Sequence, residues 1–260
     1  MFTSFVRGHQ REWRRRMRVI TVPGVFQPRS DTWMLIGAVA GYPFTRGARV
    51  LDLCTGSGAI GVAAALRGAT VTAVDISRRA LWSAWLNARA NGVRVRTRRG
   101  DLFAAVEGEC FDLIVANPPY LPAASDDLPV GGPARAWDAG RDGRAFLDRI
   151  CALAPAHLVP GGSLLVLHSS VCGVARTEQA LAAHGLETDV VFRHRGPLGP
   201  ILRARVSQLW ADGRLPAGSF DEEIVIIRGY READTATEQQ QAAARRNART
   251  AQQEHSRVRP

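Results

Sequence analysis

The feature that most constrains this chain is the regular alternation of short apolar runs with helix-forming segments between residues 49 and 229. Most of the runs are continuously apolar, which is typical of parallel strands that are buried on both faces. The predicted strands are Arg49–Cys54, Thr70–Ile76, Val93–Arg98, Phe111–Ala116, Ser163–His168, Thr188–His194 and Glu223–Gly229. The predicted helices lie near 59–67, 78–91, 143–158, 174–184 and 199–210. This order predicts an α/β fold with a doubly wound parallel sheet.

The segments on either side of this alternation differ from it in composition. Residues 1–20 form a basic leader, which we expect to be helical or frayed, and residues 21–231 form the main domain. In that domain, Asp31 is placed to cap a helix that follows it. Residues 232–260 are polar and of low complexity, so we expect them to be disordered. Trp82 and Trp85 fit one face of a predicted helix, and we expect them in the core.

The net charge and the cysteine content limit which binding partners and which cellular compartment we expect for this protein. The net charge is +10, and all 34 basic residues are arginine, which indicates codon bias as much as selection at each site. The basic clusters Arg11–Arg18 and Arg94–Arg99 are either solvated faces or surfaces steered toward RNA, ribosomes or acidic proteins. The four cysteines are widely spaced, and no Cys or His cluster has metal-binding spacing. We therefore expect a cytoplasmic protein with no metal site and no membrane partner.

Asn117-Pro118-Pro119-Tyr120 follows the predicted strand Phe111–Ala116, at the strand end where open α/β sheets bind ligands. The two prolines lack N–H groups and fix φ, so the loop is stiff and its carbonyl groups are free to accept hydrogen bonds. The Asn117 side chain and the Pro118 carbonyl provide two acceptors, and Tyr120 adds a flat ring. This set suits a planar –NH2 group. A proline-rich turn that only closes a strand is the structural alternative.

A second motif, Asp52-Leu53-Cys54-Thr55-Gly56-Ser57-Gly58, ends the first strand. Gly56 and Gly58 allow a tight turn and close approach of a ligand. Asp75, at the end of the second strand, is placed to bind ribose hydroxyl groups. A carboxylate at Asp52 disfavours a pyrophosphate but tolerates a cationic nucleoside such as S-adenosylmethionine (SAM). Capping is the structural alternative for both aspartates.

The third predicted strand is followed by Gly100-Asp101-Leu102. The Asp101 carboxylate is placed to reach the exocyclic amine of an adenine, and the backbone of Leu102 to contact the ring. A turn aspartate is the alternative.

Taken in order, these motifs resemble the class I SAM-dependent methyltransferases of the HemK type. Val25–Leu35 is similar to the V-Y-x-P-x-E-D-T-x-x-L segment of the short HemK lineage, with Ser30 in place of Glu. Ala136–Arg144 is similar to that lineage's A-W-x-G-G-x-x-G-R stretch, with Ala139 in place of Gly. The resemblance covers about residues 22–230. It implies a seven-stranded, Rossmann-like sheet that is mostly parallel with an antiparallel edge strand.

The resemblance also implies an activity. HemK-type enzymes methylate the side-chain amide of the glutamine in the Gly-Gly-Gln loop of release factors, and the short lineage works with a small zinc-binding activator subunit. An exocyclic amine of adenine or guanine in RNA or DNA is the alternative acceptor. A basic RNA-binding module with a vestigial cofactor site is a third reading, which the intact motifs disfavour.

The resemblance assigns the site residues to three groups. The catalytic residues are Asn117, Pro118 and Tyr120. The cofactor-binding residues are Thr32, Asp52, Cys54, Gly56, Gly58, Asp75, Ile76, Asp101, Leu102 and Asn117. The substrate-binding residues are Phe26, Pro119, Tyr120 and Arg141. For Arg141 a surface role is an equal alternative, and Arg144 is a further candidate for contact with the substrate backbone.

Overall fold

The computed structural model describes residues 2–233, apart from the side chains of residues 2–5, 7 and 11. The strands are β1 Arg49–Leu53, β2 Thr70–Asp75, β3 Val95–Arg99, β4 Phe111–Ala116, β5 Leu158–Ser169, β6 Glu187–Pro197 and β7 Asp221–Tyr230. The helices are α1 Phe2–Arg16, α2 Ser30–Gly41, α3 Ala59–Leu66, α4 Arg78–Ala90, α5 Leu147–Leu153, α6 Val174–Ala183, α7 Pro200–Ala204 and α8 Val206–Ala211. Within the described residues, no helix is both long and apolar enough to cross a membrane.

All seven strands form one sheet in the order β3-β2-β1-β4-β5-β7-β6. Strands β1 to β5 pair in parallel, whereas β7 runs antiparallel to both β5 and β6. The predicted doubly wound, mostly parallel α/β sheet is confirmed, with both antiparallel pairings at the β6 edge. Because β1 and β4 are neighbours although they are not consecutive, the strand order reverses beside β1. This is the position at which such sheets bind ligands.

The two faces of the sheet are covered by different helices. In β4, Leu113 and Val115 pack with residues of α2 and α3, whereas Ile114 and Ala116 pack with residues of α5. Successive side chains of a strand point to opposite faces, so a continuously apolar strand is required when both faces are buried. The core is therefore divided into two layers by the sheet.

The basic leader belongs to one of these layers. Helix α1 places Val6 and Trp13 in the same cluster as α2, and Met17, directly after the helix, belongs to that cluster too. The charged residues Arg14–Arg16 and Arg18 remain exposed. The helix is thus amphipathic, and its apolar stripe is part of the core. The domain boundaries at residues 20 and 231 stay predictions, and the predicted tail lies outside the described residues from residue 234 onward.

Helix boundaries differ from the sequence prediction in three places. The helix predicted at 143–158 begins only at Leu147 and ends in a 3-10 turn at Ala154–His157, where Pro155 has no N–H to continue the α-helix. The helix predicted at 199–210 is divided into α7 and α8 at Arg205. Asp31 does not cap α2, because the helix begins at Ser30 and Arg29 occupies the cap position.

The prediction that Trp82 and Trp85 lie in the core is wrong. Their side chains are 54% and 48% exposed, and the buried face of α4 consists of small residues, among them Ala80, Ser83 and Ala84. The reason is the close approach of Gly58, at which an added Cβ would lie 2.5 Å from the Cα of Ala84. A helix packed this tightly against a backbone turn has no room for an indole on that face.

We predict that Gly58→Ala destabilises the fold far more than Gly92→Ala. Both glycines have positive φ, 79° and 70°, so both substitutions carry a backbone strain of about 1 kcal/mol. Only at Gly58 does the added Cβ collide with α4, whereas nothing lies within 4 Å at Gly92. Overpacking should cost Gly58→Ala a further 1–3 kcal/mol, roughly, in urea denaturation. Equal losses in the two variants would contradict the close-packing argument.

Candidate active site

The loop between β1 and α3 turns sharply at the carboxyl end of the sheet. Cys54, Gly56 and Gly58 all have positive φ, and the Thr55 amide donates to the Val74 carbonyl of β2 at 3.0 Å. An added Cβ at Gly56 would meet no atom closer than the Cys54 carbonyl at 4.0 Å. The backbone of this loop is therefore open to a ligand at Gly56 and packed against protein at Gly58.

Asp52 lies beneath this loop and is fully buried. Its Oδ2 accepts hydrogen bonds from the Thr55 hydroxyl at 2.6 Å and the Gly61 amide at 2.9 Å, whereas Oδ1 accepts none from the described residues. Burial raises the pKa of Asp52 to about 7, although both hydrogen bonds oppose the shift. The carboxyl group fixes the turn from below, as its capping alternative predicts. Asp52 is not among the residues that line the cavity.

Asp75 stands at the end of β2 and joins two loops. Its Oδ2 accepts from the Gly56 amide at 3.0 Å, and its Oδ1 accepts from the Ser77 amide at 2.9 Å. Burial raises the pKa of Asp75, while these hydrogen bonds and the positive charge of Arg135 oppose that rise. Each carboxylate oxygen retains a lone pair for a ligand hydroxyl.

Asp101 follows β3 and forms a two-point ion pair with Arg149, at 3.2 and 2.7 Å. Its neighbour Leu102 has positive φ, at 49°. Both residues line the same cavity as Gly56 and Asp75.

The loop after β4 is fixed by the first turn of α2. The Tyr120 hydroxyl donates to Asp31 Oδ2 at 3.0 Å, and Asn117 Nδ2 donates to Thr32 Oγ1 at 3.3 Å. Burial and the nearby Asp31 carboxylate raise the pKa of Tyr120 well above its usual value, so the phenol stays protonated and donates. With its Nδ2 directed to Thr32, Asn117 keeps its side-chain oxygen available as an acceptor. No described residue donates to that oxygen.

The stretch Ala136–Arg144 supports the same loop from the other side. Leu121 pairs with this stretch through its amide, which donates to the Trp137 carbonyl at 2.7 Å, and its carbonyl, which accepts from Ala139 at 3.1 Å. Arg144 is buried and donates to Asp148, Thr177 and the Cys172 carbonyl. The idea that Arg144 contacts a substrate is therefore wrong, because its guanidinium is enclosed by the protein. Arg141 is exposed beside Asp126 and does not line the cavity.

These loops surround one cavity of about 1340 Å³ at the carboxyl end of the sheet. Most of the residues predicted from sequence line it, and only Asp52, Gly58, Arg141 and Arg144 do not. The lining set is Phe26, Thr32, Cys54, Gly56, Asp75, Ile76, Asp101, Leu102, Asn117, Pro118, Pro119 and Tyr120. One end of the cavity lies at β1, β2 and β3, and we call it the carboxylate-rich end because Asp75 and Asp101 line it; the second end lies between the loop after β4 and strands β6 and β7. Contact of each residue with a ligand stays a prediction.

Sequence reasoning missed Glu222 at the second end of the cavity. Its Oε1 accepts from the Gly199 amide at 3.1 Å, whereas its buried Oε2 accepts no hydrogen bond from the described residues. Burial raises the pKa of this carboxyl group. The adjacent acids Glu222 and Glu223 before an apolar run were a usable signal, since alternation in a strand turns only one of two neighbours toward the solvent. Arg135 and Trp137, which also line the cavity, gave no such signal.

Comparison with known proteins identifies similar sequences and folds. The methyltransferase small domain family matches residues 16–131. A putative protein N5-glutamine methyltransferase of Methanocaldococcus jannaschii is 33% identical over 181 residues, which are 69% of this chain and 90% of that protein. The release factor glutamine methyltransferase of Bordetella pertussis is 43% identical over 154 residues, 56% of this chain and 57% of that enzyme. The chain thus spans little more than half of the bacterial enzyme.

A solved structure has the same fold. The Mtq2–Trm112 complex of E. cuniculi, which is responsible for methylation of the translation termination factor eRF1, superposes with a TM-score of 0.54 at 23% identity. The match covers 80% of this chain and 99% of that one. At this identity the likeness extends to the fold alone.

The raised pKa of Asp52 predicts how the free energy of unfolding changes with pH. Because the carboxyl group holds its proton more tightly when folded, the free energy of unfolding should fall as the pH rises from about 4 to about 7. Asp52→Asn keeps an acceptor oxygen and removes the ionisation. Urea denaturation at pH 5 and pH 8 should show a fall in stability that is about 2–3 kcal/mol smaller in this variant than in the wild type. Asp212→Asn, at an exposed carboxylate, should keep the wild-type dependence, and an unchanged dependence in Asp52→Asn would refute the assignment.

Proposed function

Since this chain belongs to the HemK-type family of SAM-dependent methyltransferases, we propose that it methylates the side-chain amide nitrogen of a protein glutamine. The observation that carries this proposal is the orientation of Asn117. Its amide group donates to Thr32, so its oxygen is left to accept from a substrate. The Pro118 carbonyl accepts no hydrogen bond from a described backbone amide. These are two acceptors for the two N–H groups of one planar amide.

The cavity fits SAM at its carboxylate-rich end. Asp75 retains acceptor capacity for the ribose hydroxyls, and the open space at Gly56 accepts a ligand against the backbone. Cys54, Ile76 and Leu102 supply apolar contact for the nucleoside. A carboxylate-rich end suits a ligand that carries cationic sulfonium and ammonium groups and no phosphate. When bound, SAM supplies an electrophilic methyl group.

An amide nitrogen is a poor nucleophile because its lone pair is delocalised into the carbonyl group. Hydrogen bonds from both N–H groups to Asn117 and Pro118 would hold the nitrogen in a single orientation and raise the electron density on it. Positioning alone can contribute roughly 7–11 kcal/mol to lowering a barrier in favourable cases. The stiffness of the two prolines and the hydrogen bond of Tyr120 to Asp31 preorganise these acceptors.

The second end of the cavity is large enough for a peptide segment around the glutamine. It is lined by Phe26, Trp137, Pro200 and Glu222 and by the loop Leu128–Gly132. The names of the relatives support a release factor as the substrate, with its glutamine in an exposed loop. A cytoplasmic location, where release factors work, is part of the same proposal. A small activator subunit, supported by the complex of E. cuniculi, is a further part of it, and a zinc site in that subunit stays a prediction.

The test is mass spectrometry of release factors and ribosomal RNA after incubation of each with the purified protein and SAM. We expect a methyl group on the glutamine of the Gly-Gly-Gln peptide, and a loss of activity of about 100-fold or more in Asn117→Ala. A methylated adenine or guanine instead would refute the protein-glutamine reading in favour of a base amine. Activity that appears only after a small partner subunit is added would support the activator.

A second prediction concerns Thr32, which acts through Asn117. Thr32→Val keeps the shape and removes the acceptor, so Asn117 is free to turn its amide group into the cavity. We expect kcat to fall by about 5- to 50-fold while thermal stability changes little.

Two further variants control this experiment. Thr32→Ser restores the hydroxyl and should restore most of kcat. The double variant Thr32→Val with Asn117→Ala should be no slower than Asn117→Ala alone, since the two residues form one unit. Additive losses in the double variant would show that Thr32 acts independently of Asn117.

A further inference from the structure

An exposed surface of arginine and tryptophan lies on the opposite side of α4 from the core. Arg78, Trp82, Trp85 and Arg89 are spaced as one stripe along the helix, and all four are exposed. Arg96 and Arg98 of the outer strand β3 are also exposed, but they lie on the other face of the sheet, because Val95 between them packs with Ala88 of α4. We call the four residues of the stripe the Arg–Trp face. None of them lines the cavity.

The positive charge of this face is not compensated locally. Residues 76–100 contain seven arginines and no Asp or Glu. Within the described part of the chain, neither Arg78 nor Arg89 forms a salt bridge, whereas Arg96 of β3 pairs with Glu109. At the opposite edge of the sheet, Arg193, Arg195 and Arg228 each pair with a carboxylate as well. Codon bias supplies arginine throughout the chain but does not explain why the stripe on α4 is left without acids.

The end of α1 extends the face. The Arg18 amide donates to Asn91 Oδ1 at 2.9 Å, and Asn91 Nδ2 donates back to the Arg18 carbonyl at 2.7 Å. These bonds hold the chain after α1 against the C-terminal end of α4, so exposed Arg18 adds positive charge at that end of the stripe. Residues 13–30 also contain no acidic residue. The basic surface is thus built from two separate segments of the chain.

We propose that the Arg–Trp face is a docking site for single-stranded RNA. Exposed aromatic rings stack on unpaired bases, and arginines between them contact the phosphates. An anionic membrane is less suited, because Trp82 and Trp85 are the only apolar side chains of the face and offer little apolar area to bury in lipid. The bound RNA is an anchor and is distinct from the methyl acceptor in the cavity.

The face also adjoins the cofactor end of the cavity. Ile76, Ser77 and Arg79 at the start of α4, and Gly100 after β3, belong to the cavity wall. RNA bound along α4 would therefore hold the mouth of the cavity near the same ribonucleoprotein. This would raise the local concentration of a substrate that works on the ribosome, which is a gain by tethering.

The test is fluorescence anisotropy of a short, labelled single-stranded RNA of mixed sequence with the full chain, between 50 and 200 mM salt. Trp82→Leu with Trp85→Leu keeps apolar bulk without an aromatic ring and should weaken binding by about 10-fold or more. Trp82→Phe with Trp85→Phe keeps two rings and should lose far less. Arg78→Gln with Arg89→Gln should reduce the slope of log affinity against log salt by about 1.4, since each phosphate contact contributes about 0.7.

The matched control is Arg193→Gln with Arg195→Gln in the edge strand β6, which removes the same charge from the opposite edge and should leave the slope nearly unchanged. All variants are at exposed positions outside the cavity, so each should retain SAM binding and the wild-type unfolding midpoint. Equal losses in the two arginine pairs, equal affinity of the leucine and phenylalanine pairs, or no RNA binding by the wild type would overturn the proposal. Binding to phosphatidylserine vesicles, unaffected by the leucine pair, in place of RNA would also overturn it.

Discussion

Two hydrogen bonds between the first turn of α2 and the loop after β4 hold the candidate active site together. They join residues that are 85 and 89 positions apart, Asn117 with Thr32 and Tyr120 with Asp31. The loop itself has few backbone donors because of its prolines, so it cannot fix its own geometry through local turns. The external partners decide which atoms of the loop remain free, and these are acceptors.

The rest of the molecule is arranged to keep that contact in place. Helix α2 is buried between α1 and the sheet, so its first turn cannot shift without disturbing the core. On the other side, the buried guanidinium of Arg144 joins α5, α6 and the segment after β5, and Gly143 packs against the Tyr120 carbonyl. A stretch that resembles a substrate-binding motif in sequence therefore acts as a structural support. Its glycine and arginine pattern reflects packing against the loop.

Negative and positive side chains are concentrated in different parts of the molecule around the candidate site. Carboxyl groups concentrate at the end of β1, β2 and β3, and burial raises the pKa of both Asp52 and Asp75. A cation bound near these groups would favour their charged forms. The arginines lie mostly outside, where the Arg–Trp face presents uncompensated positive charge. One side of the molecule is thus suited to a cationic cofactor, and an adjacent surface to a polyanion.

Much of the fold and most of the cavity lining could be predicted from the sequence, because both depend on local patterns. The apolar strands lie in short segments of the sequence, and so do the motifs that follow them, namely the Gly-x-Gly turn, Asp75 and Asn117–Tyr120. Parallel strands bring their carboxyl ends to one edge of the sheet whatever the details of packing. The succession of strands and helices along the chain, and the residue types at the strand ends, follow from the sequence alone. Tertiary structure decided what depends on distant partners. It placed Arg144 inside, Trp82 and Trp85 outside, and Asp52 beneath its loop. Periodicity cannot decide these positions, because burial of a side chain is set by what packs against it, and α4 turned its small face inward to meet Gly58.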